Sequence, residues 1–123
     1  MRRRKSVRDL SKTAHVFFQC LEEKRWKDAE VEMKRTQACE MKRGDWMRGY
    51  TDALQGMLVG LREKPLSPKP FILNIEDHSQ NGLKELEKIF FMLSCGRLNA
   101  DYDRGFFRTW YEYVKFLMGK NPR

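Results

Sequence analysis

Residues 44–58 read GDWMRGYTDALQGML and residues 100–114 read ADYDRGFFRTWYEYV, and the two stretches share one phrase. Each copy has an Asp, an aromatic residue, any residue, an Arg, a Gly and a second aromatic residue. The two aromatics are four residues apart, so they lie on one face of a helix, and the Gly between them leaves room for a neighbouring helix. The repetition predicts two helices that cross at Gly49 and Gly105 in a pseudo-twofold arrangement.

Apolar residues recur at helical spacing on both sides of these two stretches. They predict five helices, which begin near residues 7, 26, 45, 80 and 101. A Pro-rich loop at 62–82 interrupts the pattern, because proline is not tolerated in a helix interior. We expect an all-α fold in which antiparallel helical hairpins pack around an aromatic C-terminal helix. Residues 1–6 form a basic N-terminal arm, and residues 7–123 form a single helical domain.

The third helix carries a stripe of small residues beside its apolar face, at Gly49, Ala53, Gly56 and Gly60. A glycine inside a helix costs roughly 0.5–1 kcal/mol relative to alanine. The three glycines of this stripe therefore need a compensating contact. Close approach of another backbone in the same domain is one explanation, and a face reserved for an external ligand is the other.

The fifth helix is apolar around more than half of its circumference, with nine large apolar residues between positions 106 and 118. A terminal helix of this kind is either wedged between other elements or docked against a partner. We expect the wedge.

The net charge of +8, from 25 Lys and Arg against 17 Asp and Glu, suggests an anionic partner. Most of this excess lies in the first 48 residues, and basic arms commonly bind phosphate backbones. The candidate nucleic-acid-binding residues are those of the arm and of the first helical hairpin: Arg2, Arg3, Arg4, Lys5, Arg8, Lys24, Arg25, Lys27, Lys34, Arg35, Lys42 and Arg43.

The Arg of the repeated phrase has two interpretations. It pairs with a carboxylate, either the Asp that we expect to cap its own helix or one on the other copy. Alternatively, Arg48 and Arg104 together form an anion clamp for a phosphate or carboxylate, which the fork geometry of arginine suits.

The sequence predicts no enzyme. It contains no Cys-x-x-Cys, no His-Glu-x-x-His and no Gly-rich nucleotide-binding loop, so we expect no catalytic residue, no metal site and no cofactor. Asp77, His78 and Ser79 are adjacent in sequence, which is the wrong geometry for a catalytic triad, and a turn or helix cap is the better interpretation. Three widely spaced cysteines favour buried thiols in a reducing cytoplasm. No apolar run approaches the ~20 residues that span a bilayer, so no membrane association is predicted.

The segments DWMRGYTDALQGM and YDRGFFRTWYEYV resemble the two signature segments of a small, uncharacterised, all-helical protein family from archaea. The resemblance covers mainly the third and fifth helices, about a third of the chain. It implies an archaeal cytoplasmic origin and a helical fold, and it carries no activity over to this chain.

Two functions remain. The first is a non-enzymatic basic helical protein that binds RNA or a ribonucleoprotein, such as the ribosome. The alternative is a protein–protein adaptor that uses the aromatic C-terminal helix or the groove between hairpins. The salt dependence of binding distinguishes the two functions. The logarithm of the affinity falls linearly with the logarithm of the salt concentration when phosphate contacts dominate, whereas the affinity of apolar docking changes little.

Overall fold

Five helices make up nearly all of the residues that the computed structural model describes, which are 7–39, 44–63, 75, 79–96 and 99–120. The helices are α1 (Val7–Glu22), α2 (Trp26–Cys39), α3 (Asp45–Glu63), α4 (Gln80–Cys95) and α5 (Asp101–Lys120). No strand occurs within these ranges. The predicted all-α fold with five helices is confirmed.

Helices occupy both ends of the segment 62–82, which was predicted as a Pro-rich loop, and of residues 64–78 the structure describes only Ile75, which is helical. Helix α3 continues to Glu63, and α4 begins at Gln80. Ser79 caps α4 by accepting a hydrogen bond from the Gly82 amide at 3.2 Å, which is the cap role expected for this segment. Ile75 is fully buried.

The turn between α1 and α2 contains no glycine, although it needs one residue in the left-handed conformation. Lys24 takes the left-handed conformation with φ 61°, and its amide donates to the Leu21 carbonyl. The Arg25 amide donates to the Cys20 carbonyl at 2.8 Å. This pair of bonds is the Schellman motif, which usually places glycine where this chain has Lys24. The expected antiparallel hairpin at this turn is confirmed.

Replacing Lys24 with glycine is expected to raise the free energy of unfolding by about 0.5–1 kcal/mol. The left-handed conformation costs a residue with a side chain about 1–2 kcal/mol, and glycine removes this cost. The relief exceeds the entropic penalty that glycine adds by making the unfolded chain more flexible. Urea unfolding measures the difference. Lys24→Ala is the control, because it removes the same charge but keeps the strain; equal stability of the two variants would contradict the interpretation.

Helices α3 and α5 cross where the repeated phrase predicts, and the contact is reciprocal. A β-carbon added to Gly49 would run into the Tyr102 carbonyl group and lie 3.0 Å from the Phe106 nitrogen. A β-carbon added to Gly105 would run into the Trp46 carbonyl group. Tyr102 and Trp46 each lie three residues before the glycine of their own copy. The two copies are therefore related by a pseudo-twofold axis, as predicted.

Aromatic stacking repeats on both sides of the crossing. Trp46 stacks on Tyr50 with ring centroids 5.3 Å apart, and Tyr102 stacks on Phe106 at 6.3 Å. Thr109 is fully buried and ties the helices together by donating to the Tyr50 carbonyl at 3.2 Å. The stripe of small residues is only partly a packing face, because a β-carbon on Gly56 would meet nothing within 4 Å.

The repetition extends beyond the phrase to whole helical hairpins. Helix α2 ends at Cys39 and α3 begins at Asp45, while α4 ends at Cys95 and α5 begins at Asp101. The end of the first helix and the start of the second helix each lie 56 residues later in the second hairpin than in the first. The hairpins α2–α3 and α4–α5 thus share the spacing between their two helices, and α1 is the helix without a counterpart among the described residues.

Helix α5 is the central wedge of the fold. It packs against α3, α4 and α1, and Trp110, Tyr113 and Val114 are buried among them. The prediction that this helix is wedged rather than exposed is confirmed. No helix in the described part of the chain has both the length and the apolar character needed to cross a membrane.

Candidate functional site

A groove of about 530 Å³ lies between α1 and the C-terminal half of α5. The two helices run antiparallel, since His15 contacts Phe116 whereas Phe18 contacts both Phe116 and Tyr113. Helix α1 contributes His15, Phe18 and Gln19 to the lining. Helix α5 contributes the remaining polar and aromatic side chains: Arg108, Tyr111, Glu112, Lys115 and Phe116.

Two cations lie against the ring of Tyr111 in this groove. The Arg108 Cζ is 5.2 Å from the ring centroid, and the Lys115 Nζ is 5.5 Å from it. These residues lie about one helical turn before and after Tyr111, so all three share one face of α5. Phe91 of α4 contacts the same ring, with centroids 5.4 Å apart. The result is an aromatic ring with two positive charges over it.

Among the described residues of the lining, Glu112 is the only acidic one, and two hydrogen bonds hold its side chain in place. The Tyr50 hydroxyl donates to its Oε1 at 2.5 Å, and the Arg108 Nε donates to its Oε2 at 2.8 Å. The Glu112 side chain is only 9% exposed, so the network lies at the base of the groove. Burial, together with the charge of Glu112, raises the pKa of Tyr50 well above its ordinary value. Tyr50 therefore stays neutral and remains a donor.

The predicted nucleic-acid-binding residues are only partly placed. Arg2, Arg3, Arg4, Lys5, Lys42, Arg43 and the side chain of Arg8 lie outside the described residues. On the hairpin, three of the five remaining cations are engaged in local ion pairs of 3.1–3.8 Å: Arg25 with Glu23 and Asp28, Lys34 with Glu30, and Arg35 with Glu32. These exposed pairs reduce the positive potential that the hairpin offers to a phosphate backbone.

The two arginines of the repeated phrase pair within their own copies. Arg48 lies 3.4 Å from Asp45, and Arg104 lies 3.5 Å from Asp101. The capping prediction for these aspartates is wrong by one residue: the Gly44 and Ala100 carbonyls accept the first helical hydrogen bonds, so each Asp lies in the first turn. A carboxylate there still favours the helix, because the N-terminus carries a partial positive charge. An anion clamp formed by Arg48 and Arg104 stays a prediction.

The groove residues were missed at the sequence level because the wide apolar face of the fifth helix dominates its pattern. A narrower signal was present. Arg108, Tyr111, Glu112 and Lys115 follow one another at steps of three, one and three, which places a polar and aromatic stripe along one side of the helix. His15 and Gln19, four residues apart on the first helix, form the matching stripe. Only the antiparallel packing of α1 on α5 brings the two stripes together.

The remaining chemistry of the described residues is sparse. No group of three or more His, Cys, Asp or Glu side chains among them could hold a metal ion. Cys20 is a buried free thiol, as expected, whereas Cys95 is free and exposed. Comparison with protein-family models, curated proteins and solved structures finds no match for this chain. The resemblance to an archaeal family therefore stays a prediction.

Proposed function

We propose that this chain is a non-enzymatic, cytoplasmic RNA-binding protein that holds single-stranded RNA, in the context of a ribosome or another ribonucleoprotein. The observation that carries the proposal is the Tyr111 ring with Arg108 at 5.2 Å and Lys115 at 5.5 Å. Proteins that bind single strands combine aromatic side chains, on which bases stack, with cations that follow the backbone. The groove supplies both kinds of group on one face of α5.

The basic arm adds to this surface through its point of attachment. Because α1 and α5 run antiparallel, Val7 lies at the end of α1 that is closer to the C-terminus of α5. Eight residues separate Val7 from His15, so the arm joins the helix about 12 Å from the groove. We propose that the arm's positive charges (Arg2, Arg3, Arg4 and Lys5) contact a neighbouring stretch of RNA backbone.

Single-stranded RNA fits this site better than a duplex. A base reaches an aromatic ring only when it is unstacked from its neighbours, as in loops, bulges and ends. Glu112, whose charge is partly offset by Arg108 at 2.8 Å, opposes close approach of phosphates to the base of the groove, while the exposed Lys115 attracts them to its rim. This division suits a strand whose base enters the groove and whose backbone remains outside.

The expected result is measurable binding of a fluorescent nine-nucleotide single-stranded RNA at low salt, followed by fluorescence anisotropy. Tyr111→Ala should weaken binding roughly 5- to 100-fold, as for loss of one base–aromatic stack, whereas Tyr111→Phe should bind like wild type. Replacing the four arm charges (Arg2, Arg3, Arg4 and Lys5) together with Arg8, at the start of α1, with Gln should flatten the salt dependence by about 0.7 units of slope per lost phosphate contact.

The matched control for the arm replaces Lys84 and Lys88, which are exposed on α4, with Gln. Those charges lie outside the arm and the groove, so each lost charge should change the slope less than a lost arm charge does. Wild type without measurable RNA affinity at low ionic strength would overturn the proposal. So would binding that is indifferent to both Tyr111→Ala and the arm substitutions.

A protein adaptor is the second candidate, and a specific surface favours it. Three large apolar side chains on α4 are 47–70% exposed: Ile89, Phe91 and Met92. Ile89 and Met92 lie three residues apart on one face of the helix, and apolar groups exposed together are typical of protein interaction sites. The adaptor surface would thus be α4 rather than the aromatic α5, whose apolar face is buried in the core. Partner binding that persists at high salt and is lost in Met92→Ser would favour this function.

A further inference from the structure

We propose that Phe91 is a second base-stacking ring, so that the protein holds two adjacent nucleotides of a single strand, one on Tyr111 and the next on Phe91. This inference rests on the proposed RNA-binding function and extends its site from the groove onto α4. The observation that carries it is an exposed ring in contact with the ring of the groove. Phe91 is 47% exposed, and its ring centroid lies 5.4 Å from that of Tyr111.

Phe91 is separate from the other exposed apolar residues of its helix. Ile89 and Met92 share one side of α4, whereas Phe91 is two residues from Ile89 and so lies about 200° from it round the helix axis. That direction brings Phe91 to Tyr111 of α5, while its neighbour Phe90 is buried in the core. Phe91 therefore belongs to the same surface as the Tyr111 ring.

The two rings have different surroundings. Arg108 and Lys115 lie over the Tyr111 ring at 5.2 and 5.5 Å, whereas no cation among the described residues lies over the ring of Phe91. A base therefore stacks on Phe91 without displacing either cation. Lys115 is exposed and lies next to Tyr111, where its charge attracts the phosphate that joins the two nucleotides.

The angle between the rings suits unstacked bases. The Phe91 and Tyr111 rings are inclined at 51°, so two bases that remain stacked on each other cannot lie flat on both rings. Each ring takes one base, and the strand opens between them, as it does in loops, bulges and ends of RNA. Stacking of successive bases on aromatic side chains tolerates any sequence, because every base has a π-face. The pair of rings therefore selects for two unpaired neighbours and not for particular bases.

The test varies the bases and keeps the phosphates. Nine-nucleotide RNAs of abasic nucleotides carry one central uridine, two adjacent uridines, or two uridines separated by four abasic nucleotides. The backbone charge is the same in all three, so differences in affinity report contacts of the bases. Wild type should bind the adjacent pair roughly 5- to 100-fold more tightly than the single uridine. The separated pair should bind more weakly than the adjacent pair, because the nucleotides between its bases must loop out before both rings are filled.

Phe91→Ala tests the residue itself, and circular dichroism verifies that the variant is folded. The advantage of the adjacent pair over the single uridine should disappear, because only the Tyr111 ring remains. Phe91→Tyr keeps a ring at this position and should keep the advantage. Ile89→Ala is the matched control, since Ile89 is 48% exposed on the other side of the same helix, and the advantage should remain in it.

Equal affinity of wild type for the adjacent pair and the single uridine, with binding still weakened by Tyr111→Ala, would overturn the second ring and leave RNA binding intact. An undiminished advantage in folded Phe91→Ala, or its loss in folded Ile89→Ala, would overturn the role of Phe91. No binding to any RNA, including a nine-nucleotide strand with all of its bases, would overturn the RNA-binding proposal on which this inference rests.

Discussion

Alanine at Gly49 or Gly105 is expected to destabilise the protein by about 3 kcal/mol or more, although alanine is the smallest change available. The new β-carbon at Gly49 would lie 2.9 Å from the carbonyl carbon of Tyr102, and the one at Gly105 would lie 2.8 Å from that of Trp46. Both obstacles are backbone, which cannot swing aside as a side chain can. The helices must therefore separate, and the buried contacts around the crossing loosen.

The matched control is Gly56→Ala on the same helix. Its β-carbon would meet nothing within 4 Å, and alanine is the better helix former, so stability should rise by about 0.5–1 kcal/mol. Glycine to alanine is thus expected to destabilise the protein at position 49 and to stabilise it at position 56, two turns later in α3. Thermal or urea unfolding measures all three variants, and a Gly49→Ala protein as stable as wild type would contradict the crossing.

The double variant Gly49→Ala with Gly105→Ala should cost less than the sum of the single variants. Both β-carbons act on one contact, and helices that have already separated for the first accommodate the second more easily. Additive losses would mean that the two sites are independent.

Removal of residues 106–123 is expected to abolish the folded state. The deleted segment holds most of α5, which packs on three other helices and buries Trp110, Tyr113 and Val114. Truncating a single large core side chain costs about 3–5 kcal/mol, and a whole domain is stable by only about 5–15 kcal/mol. Circular dichroism should show a collapse of helical signal, and size-exclusion chromatography should show an expanded or aggregated chain.

Two point variants separate loss of the core from loss of a surface. Tyr113→Ala, at a fully buried ring, should lower stability by about 3–5 kcal/mol. Tyr111→Ala, on the groove side of the same helix, should cost much less. A truncated chain that stays helical, monomeric and soluble would show that α5 is dispensable for folding.

The fold could be predicted from the sequence to the extent that it depends on periodic apolar residues and on the repeated phrase. The crossing at Gly49 and Gly105 was predictable because glycine inside a helix is costly and two matched copies suggest a shared cause. The stripe prediction failed at Gly56 for the complementary reason: spacing places a residue on a face, but it does not say how far a neighbouring helix extends along that face.

The candidate site could not be predicted in the same way. Arg108 and Lys115 look like ordinary solvated charges in the sequence, and only the distances to Tyr111 distinguish them. Lys34 and Arg35 show the opposite case, since a count of charges cannot reveal that carboxylates of their own helix pair with them. A site assembled from α1 and α5 depends on residues about 100 positions apart, beyond the reach of local patterns.

The pseudo-twofold axis has a consequence for how this chain could specialise. A protein made of one such hairpin would have to dimerise to bury the same glycine crossing, and its two halves would be identical. Joining the halves in one chain makes their association independent of concentration. It also permits them to differ. In the 56-residue register, the counterpart of Glu112 is Gly56, and the counterpart of Arg108 is Asp52, which instead accepts a hydrogen bond from Tyr102 at 2.6 Å. Helix α1 packs on α2 of one half and on α5 of the other, and it forms the charged groove with α5.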